Sequence, residues 1–441
     1  MPSSSASAQQ PGRPAGQRPS RRRGRLLALG FTVIALLVVG AGSLAAVRLV
    51  RTPPPPELHL RLAPTLAVAP GPAPAIPLPT TGSFDLVSSD GGQVASLAAT
   101  TVVPIGSIAK VMTALMVLKD KPLAVGQSGA SYTITGQDVA FYNQVVAGDG
   151  SNLPVTVGEQ FSERQLLLAL LLPSANNIAE TLAVWVAGSQ PAFIAQLNSE
   201  AKTLGMTQTS FADASGYSPQ TVSTASDLVK LGQAALANPA LADLVGTPTA
   251  TMPGGATIHN LDTDLGTVPG WLGIKTGSTP QAGGCLLFAA EHAGPLGASS
   301  DVQVIGAVLG QTAPSGTLSD ELGVALTVAG TAVKAAFGDF PTIDPGSLKV
   351  PAVPGTLRSA WGTSAGLQAS YESGLSSVEV RIGATLKLAV SQVPHLDPTA
   401  VASGTVVGHV TGSIAGITVA TWQVSATGGL GQPSWQWLIT H

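Results

Sequence analysis

The chain has a single cysteine, Cys285, in 441 residues, so no intramolecular disulfide can staple it. A lone cysteine suits an exported protein that forms no internal bridge, and Cys285 reads as a small buried hydrophobe. Charge is equally scarce: Asp, Glu, Lys and Arg make up 10% of the sequence, where ~25% is usual. The six histidines are scattered without the spacing of a ligand set, so neither a metal nor another cofactor is expected. Arginine is missing altogether between Arg164 and Arg358. Apolar residues, in contrast, reach 44%, enough for a sizeable core and more than one domain. The 51 glycines and 34 prolines call for many turns and loops.

The formal net charge of −3 conceals an uneven distribution. Residues 1–25 hold six arginines (Arg13, Arg18, Arg21, Arg22, Arg23, Arg25) and no acid, which leaves 15 bases against 24 acids in the remainder. A basic tail can address nucleic acid or a membrane surface. Here it runs directly into Leu26–Val47, 22 residues without a charge. As a helix that stretch reaches ~33 Å, close to the ~30 Å hydrocarbon core of a bilayer. Membrane topology therefore accounts for the arginines, which stay cytoplasmic by the positive-inside rule, and no nucleic-acid partner is expected. The reading is a cytoplasmic basic tail over 1–25 and a single-pass transmembrane signal-anchor over 26–50, with the rest extracytoplasmic at the cell membrane. A cleaved signal peptide competes with it, because "SLAA" offers small residues, but the apolar core of a signal is usually only ~7–15 residues long.

Residues 1–20, rich in Ser, Gln and Pro, are expected to be disordered. Residues 51–79, "RTPPPPELHLRLAPTLAVAPGPAPAIPLP", read as a Pro-rich linker. Extended at ~3.1 Å per residue, its Pro53 to Pro79 part would hold a domain ~80 Å off the membrane. From Thr80 the composition turns globular. "GSFDLVSSDGGQVASL" reads as a hairpin around Asp90-Gly91-Gly92, and "IAKVMTALMVLK" as a helix. "SERQLLLALLLPSANNIAETLAVWVA" gives two helical stretches parted at Pro173, and "PAFIAQLNSEAKTLGM" a third helix ending near Gly205. "STASDLVKLGQAALA" opens with a pattern like a capping box, Thr224 with Asp227. "GWLGIKTGS", "GGCLLFAAE" and "DVQVIGAVLG" read as consecutive strands, and "SDELGVALTVAGTAVKAAF" as the closing helix of a domain over 80–340. Over 345–441, "SSVEVRIGATLKLAV", "TVVGHVTGSIAGITVATWQV" and "SWQWLIT" alternate at the strand period, which predicts a small all-β domain with no helix.

Three short elements are candidates for chemistry. In Ser107-Ile-Ala-Lys110 a helix would bring residues i and i+3 onto one face, so that the amine approaches the hydroxyl. A serine hydroxyl is a weak nucleophile until a base takes its proton, and a desolvated lysine near a second cation is neutral enough to serve. The pattern alone is weak, since Ser199-Glu-Ala-Lys202 repeats it inside a stretch that reads as a surface helix. Ser174-Ala-Asn176 is the only Ser-x-Asn in the chain, although serine and asparagine also serve as plain helix caps. Lys275-Thr276-Gly277 is the only Lys-Thr-Gly, on a strand where glycine admits close approach of another backbone.

The order of the three elements, with gaps of 67 and then 101 residues between Ser107, Ser174 and Lys275, resembles the signature of the penicillin-recognising serine enzymes. Within that superfamily "NSEAKTLGMTQTSFADASGYSPQTVSTASDLVKL" and "GIKTGSTPQAGGCLLFAA" resemble the D-alanyl-D-alanine carboxypeptidase family, over about residues 82–338. The resemblance implies an α+β fold: a β-lactamase/transpeptidase-like catalytic domain with an antiparallel sheet flanked by helices and a helical subdomain. It implies that Ser107 attacks the carbonyl between two D-alanines of a peptidoglycan stem peptide and that Lys110 is its general base. Ser174 would relay a proton to the leaving amine, and Asn176 would hold the substrate amide. Lys275 would keep Lys110 neutral and attract the terminal carboxylate, with Thr276 donating to it. Gly277 completes the motif, and the backbone N–H groups of Ser107 and Ser278 would form the oxyanion hole. β-Lactam antibiotics would acylate the same serine.

Several departures from the family's pattern stand out. Asn177 follows the second motif where Asp is expected, and Ser278 sits where relatives often carry a larger side chain. The arginine that helps relatives bind the carboxylate has no counterpart here. Relatives are often held by a C-terminal amphipathic helix, whereas "SWQWLITH" reads as a strand. Four alternatives follow: a D,D-endopeptidase; a catalytically weak cell-wall scaffold; a β-lactamase, disfavoured by Ala175; and a Ser-His-Asp hydrolase built on Gly362-Thr-Ser364-Ala-Gly366. The last requires a strand before that motif and a helix after it.

Overall fold

A computed structural model describes residues 21–88, 92–298 and 301–441. The segment 1–20 expected to be disordered, and Asp90-Gly91 of the expected hairpin turn, lie outside the described residues. The described helices are α1 (Arg21–Val50), α2 (Ala109–Asp120), α3 (Gly136–Ala147), α4 (Glu163–Leu171) and α5 (Asn176–Ala187). They continue with α6 (Gln190–Thr203), α7 (Ala225–Ala237), α8 (Pro239–Val245), α9 (Leu318–Phe337) and α10 (Trp435–Thr440). Most start where a short polar side chain can accept from a free N–H of the first turn. Thr135 with Asp138 and Ser162 with Gln165 close full capping boxes at α3 and α4. At α7 the box closes on one side only. Thr224 accepts from Asp227 N, but the Asp227 carboxylate turns to Gln208 N at 2.8 Å and Lys230 Nζ at 2.7 Å.

The central layer of the part over 80–340 is a five-stranded antiparallel sheet in the order Trp271–Thr279, Gly283–His292, Val302–Gln311, Ser83–Ser88, Gln93–Leu97. Both its faces are covered, which is why "CLLFAA" reads as an unbroken apolar run. Leu286, Phe288 and Ala290 point to α9, where Ala325, Ala329 and Ala332 leave room for the rings. Cys285, Leu287 and Ala289 point the other way, into the core around α2. Seven residues of α2, Ala109, Lys110, Val111, Met112, Thr113, Ala114 and Val117, have no exposed surface. That burial fixes α2 in place and with it the Ser107–Lys110 segment at its head. The second Ser-x-x-Lys lies on α6 with Ser199 and Lys202 both exposed, as expected of a surface helix.

Two expectations need correction. The Pro-rich stretch 51–79 is not a free spacer, because Glu57–Leu60 pairs with Gly355–Arg358 and Thr65–Ala67 pairs with Thr385–Gln392. These two short strands form the opposite edges of a seven-stranded antiparallel sheet whose core includes Leu357, Val410, Val419 and Trp422. Only four residues separate them, a reach of at most ~18 Å, so the sheet must curl until its edges approach. "ELHL" and "TLA" are too short to signal strands among prolines, and they are ordered by pairing with residues some 300 positions away. The second correction is "SWQWLIT", which is helix α10 and not a strand: Ser434 caps it by accepting from Trp437 N at 3.2 Å. Ser364 opens a strand, Ser364–Gly374, with no helix after it, which removes the nucleophile-elbow alternative.

Candidate active site

Gly106–Ile108 form one 3-10 turn that leads into α2, leaving Ser107 half-buried and Lys110 wholly buried one turn on. Lys110 Nζ lies 2.7 Å from Ser107 Oγ, 2.7 Å from Asn176 Oδ1 and 2.9 Å from the Ser215 carbonyl oxygen. The last two partners can only accept. A neutral amine has two N–H donors and one lone pair, so once both donors are used the lone pair faces the one partner with a proton to give, the Ser107 hydroxyl. Burial first, and then the charge of Lys275, pull Lys110 well below the ordinary lysine range, with Asp213 opposing. The arrangement is that of a nucleophile beside its base.

Ser174 joins the site from the junction between α4 and α5. It is 2% exposed, its backbone is left-handed at φ +65°, and its hydroxyl has no hydrogen-bond partner. Such a conformation costs a non-glycine residue ~1–2 kcal/mol and clusters at functional sites. Asn176 N donates to the Ser151 carbonyl at 2.8 Å. Asn177, the departure from the family's pattern, takes no part in the site: its amide clamps Leu153, accepting from N at 3.0 Å and donating to O at 2.9 Å.

Trp271–Thr279 is the edge strand of the sheet, so the backbone groups on its outer side are free to face the Ser107 turn. Gly277 makes that approach possible. A Cβ there would lie 3.0 Å from Ile105 O, 3.0 Å from Ser107 N and 3.2 Å from Ile108 N, all backbone. A Cβ on Gly106 would stand 3.2 Å from Ser278 N, so the N–H groups of Ser107 and Ser278 border one narrow gap. On the same strand Lys275 and Thr276 are each 1% exposed, with Lys275 Nζ 3.3 Å from Thr276 Oγ1. Burial lowers Lys275 to about 7 while Asp262 works against it. The Asp262 carboxyl is itself raised to about 6, chiefly by burial, despite the Trp271 indole N–H donating to it at 2.9 Å.

Sequence reasoning missed Asp262, and it missed the loop 213–221. Asp213 accepts from Ser215 Oγ at 2.6 Å and Tyr217 N at 2.9 Å, and Thr113 Oγ1 donates to Ala214 O at 2.6 Å. These contacts hold the Ser215 carbonyl against Lys110. Gly216, at φ +77°, must be glycine because a Cβ would run into the Gly106 carbonyl. "ADASGYS" carries the loop, but a cluster of acid and small residues has no periodicity by which to assign it a contact. Tyr217 Oη reaches across to Gly148 O at 2.7 Å, over a cleft of about 230 Å³ lined by Val145, Gly150, Asn176, Glu180 and Ser215. Of the two arginines that flank the gap in the sequence, Arg164 is paired with Asp243 at 2.6 Å and Arg358 belongs to the C-terminal sheet. Cys285 is buried, far up its titration range at about 12, and inert.

Removing the side chain of Ser174 tests whether its strained backbone serves the hydroxyl. Ser174→Gly is expected to hold or raise the melting temperature, since glycine adopts φ +65° freely, and to lower the acylation rate ~10²-fold. Calorimetry alongside a stopped-flow acylation assay reads both. A melting temperature that falls together with the rate would make Ser174 a structural residue only.

Comparison with known proteins agrees with this geometry. A family model described as D-alanyl-D-alanine carboxypeptidase, peptidase S11, matches residues 76–312. The D-alanyl-D-alanine carboxypeptidase of Streptomyces sp. (strain K15) is 33% identical over 261 residues, covering 55% of this chain and 84% of the relative. A D-alanyl-D-alanine endopeptidase of Pseudomonas aeruginosa is 31% identical, covering 60% of this chain and 78% of its own. The solved C98A mutant of the Streptomyces K15 DD-transpeptidase superposes with a TM-score of 0.51 at 29% identity, over 59% of this chain and 99% of that one. With the serine, the buried lysine and the Lys-Thr-Gly strand in the arrangement described above, the chain belongs to the D-alanyl-D-alanine carboxypeptidase family and is a serine hydrolase of the penicillin-binding type.

Proposed function

We propose that the protein trims the terminal D-Ala from peptidoglycan stem peptides through an acyl-enzyme on Ser107. Lys110 takes the Ser107 proton as Oγ attacks the carbonyl carbon between the two D-alanines. The C–N bond then breaks, and Lys110 passes its proton through Ser174 to the leaving amine. Asn176 orients the substrate amide, while Lys275 and Thr276 bind the terminal carboxylate without an arginine. The N–H groups of Ser107 and Ser278 receive the oxyanion. Water attacks the ester while Lys110 again accepts a proton, and as the Oγ–C bond breaks Lys110 returns that proton to Ser107 Oγ and the shortened peptide leaves. A β-lactam presents a similar carbonyl and is expected to stop at the ester.

The observation that carries this reading is the 2.7 Å contact of a buried Lys110 with Ser107, made while two obligate acceptors hold the same amine. The test is intact mass spectrometry of the full chain after a fluorescent penicillin, beside Ser107→Ala. One adduct in the wild type and none in the variant is expected; equal labelling of both would place the nucleophile elsewhere. The names of several relatives keep a D,D-endopeptidase as the second reading. Products from cross-linked muropeptides separate the two, as released D-Ala or as cleaved cross-links.

The two lysines set a pH dependence. Catalysis needs Lys110 neutral and Lys275 charged, so kcat/KM is expected to rise as Lys110 deprotonates and to fall as Lys275 does, with the alkaline limb near 7. Asp262 favours the charged Lys275. Asp262→Asn should therefore move the alkaline limb to lower pH. A limb that stays in place would remove Asp262 from the site's electrostatics.

We also infer that α1 is a single-pass membrane anchor with the catalytic domain extracytoplasmic. Its Ala28–Val50 part is long and apolar enough to cross a bilayer, and it is exposed apart from Ala45 and Arg48, which are half-buried.

A further inference from the structure

The two half-buried positions near the end of α1, Ala45 and Arg48, lie one turn apart on one face, and α10 packs against that helix. Arg48 Nη1 donates to the Ile439 carbonyl at 2.8 Å, so a cation closes the C-terminal, negative end of α10. On its other side α10 is joined to the C-terminal sheet. Trp437 meets Trp361 edge-on with ring centroids 5.9 Å apart, and Trp361 Nε1 donates to the Gly431 carbonyl at 2.7 Å. His441 stacks on Trp437 at 5.0 Å. Arg51, Pro53 and Pro54 border the same hollow as Trp437 and Leu438. The sheet is thus tied to the apolar helix twice, through α10 and through the strand that begins at Glu57, six residues after Arg51.

The height of this junction follows from helix geometry. Counting from Ala28 at 1.5 Å per residue, a ~30 Å hydrocarbon core ends after ~20 residues, within a turn of Arg48. Arg48 and Arg51 would then lie at phosphate level. Trp435, 65% exposed, and the indoles of Trp437 and Trp361 would lie where amphipathic rings collect at a membrane–water boundary. Val50, 84% exposed, and Leu49, 45% exposed, share that level. Bulky apolar surface beside paired arginines fits an anionic headgroup layer.

We propose that α10, Trp361 and the last turn of α1 form an interfacial platform that seats the C-terminal sheet on the outer leaflet of the bilayer. Its partner is an anionic phospholipid headgroup layer. The inference rests on the reading of α1 as a membrane span. It replaces a long Pro-rich tether with a C-terminal sheet held at a fixed height and orientation close to the membrane.

The test uses the full chain reconstituted in vesicles of phosphatidylcholine and phosphatidylglycerol, with flotation read first. The Trp435 contribution to the emission is the difference between wild type and Trp435→Phe. Lipids brominated near the headgroup are expected to quench that difference at least twofold more than lipids brominated deep in the chains, and acrylamide should reach it poorly. Arg48→Ala should float equally well and lose most of the shallow quenching. A chain that floats with Trp435 open to acrylamide overturns the platform and leaves the span standing. Trp435 shielded from acrylamide yet untouched by bromine also overturns it, because protein would then cover the residue. A chain that fails to float overturns both readings.

Discussion

Replacing Lys110 with methionine is expected to lower the rate of penicillin acylation by ~10²–10⁴-fold, the usual contribution of a positioned base. The fold should survive. Methionine fills a similar volume in the core, but it leaves the buried acceptors Asn176 Oδ1 and Ser215 O without their donor, at a cost of ~1–3 kcal/mol each. The pH dependence of wild-type stability follows from linkage. The folded-state pKa lies below the unfolded value of ~10.4, so the unfolded chain binds the extra proton and wild-type stability rises with pH between the two values. Lys110→Met should lower the melting temperature modestly at neutral pH, for want of those two hydrogen bonds, and flatten that rise. Scanning calorimetry at several pH values, beside mass-spectrometric acylation rates, reads both parts. Acylation at the wild-type rate would remove Lys110 from the base's role. A variant that loses activity only because it unfolds would show in the melting curve.

Gly277→Ala is expected to cost ~10²-fold in acylation with only a modest change in stability. The new methyl would stand 3.0 Å from both Ile105 O and Ser107 N, so the edge strand must retreat from the 3-10 turn by a few tenths of an ångström. Lys275, Thr276 and the Ser278 N–H travel on that strand and move with it. Misplacement on this scale at an oxyanion site is enough to lose such a factor, since donors act on a charge that develops at one point. The rest of the sheet is anchored by its pairing to Gly283–His292 and has no reason to unfold. The acylation rate and the denaturant midpoint should therefore part company. A midpoint that drops steeply would mean that the turn and strand support the fold itself.

How far each part of the molecule could be read in advance depended on the range of the forces involved. Helix α2 and the three consecutive strands from Trp271 to Gln311 were visible because local periodicity records which face is buried. The break at Pro173 was visible because proline cannot continue a helix, and it left Ser174 in a junction. Ser107, Lys110, Ser174, Asn176 and Lys275 could be named because each belongs to a short motif whose order along the chain is distinctive, although 168 residues separate the first from the last.

What the amino-acid sequence by itself determined, then, was the identity of the reacting groups, the run of elements that carry them and an apolar N-terminal segment of membrane-spanning length. Tertiary structure alone decided that Ser215 O and Asn176 Oδ1 occupy both donors of Lys110, so that its lone pair is left for Ser107. It decided that Asp262 is the buried carboxylate whose charge opposes the lowering of Lys275 and that Asn177 belongs to the scaffold. It also decided that "ELHL" and "TLA" close a distant sheet and that the final tryptophans form a helix against α1. The physical reason is common to all five. Each depends on hydrogen bonds or packing between residues far apart in the chain, and such contacts leave no periodicity in the local text, because the energy that selects them comes from the partner.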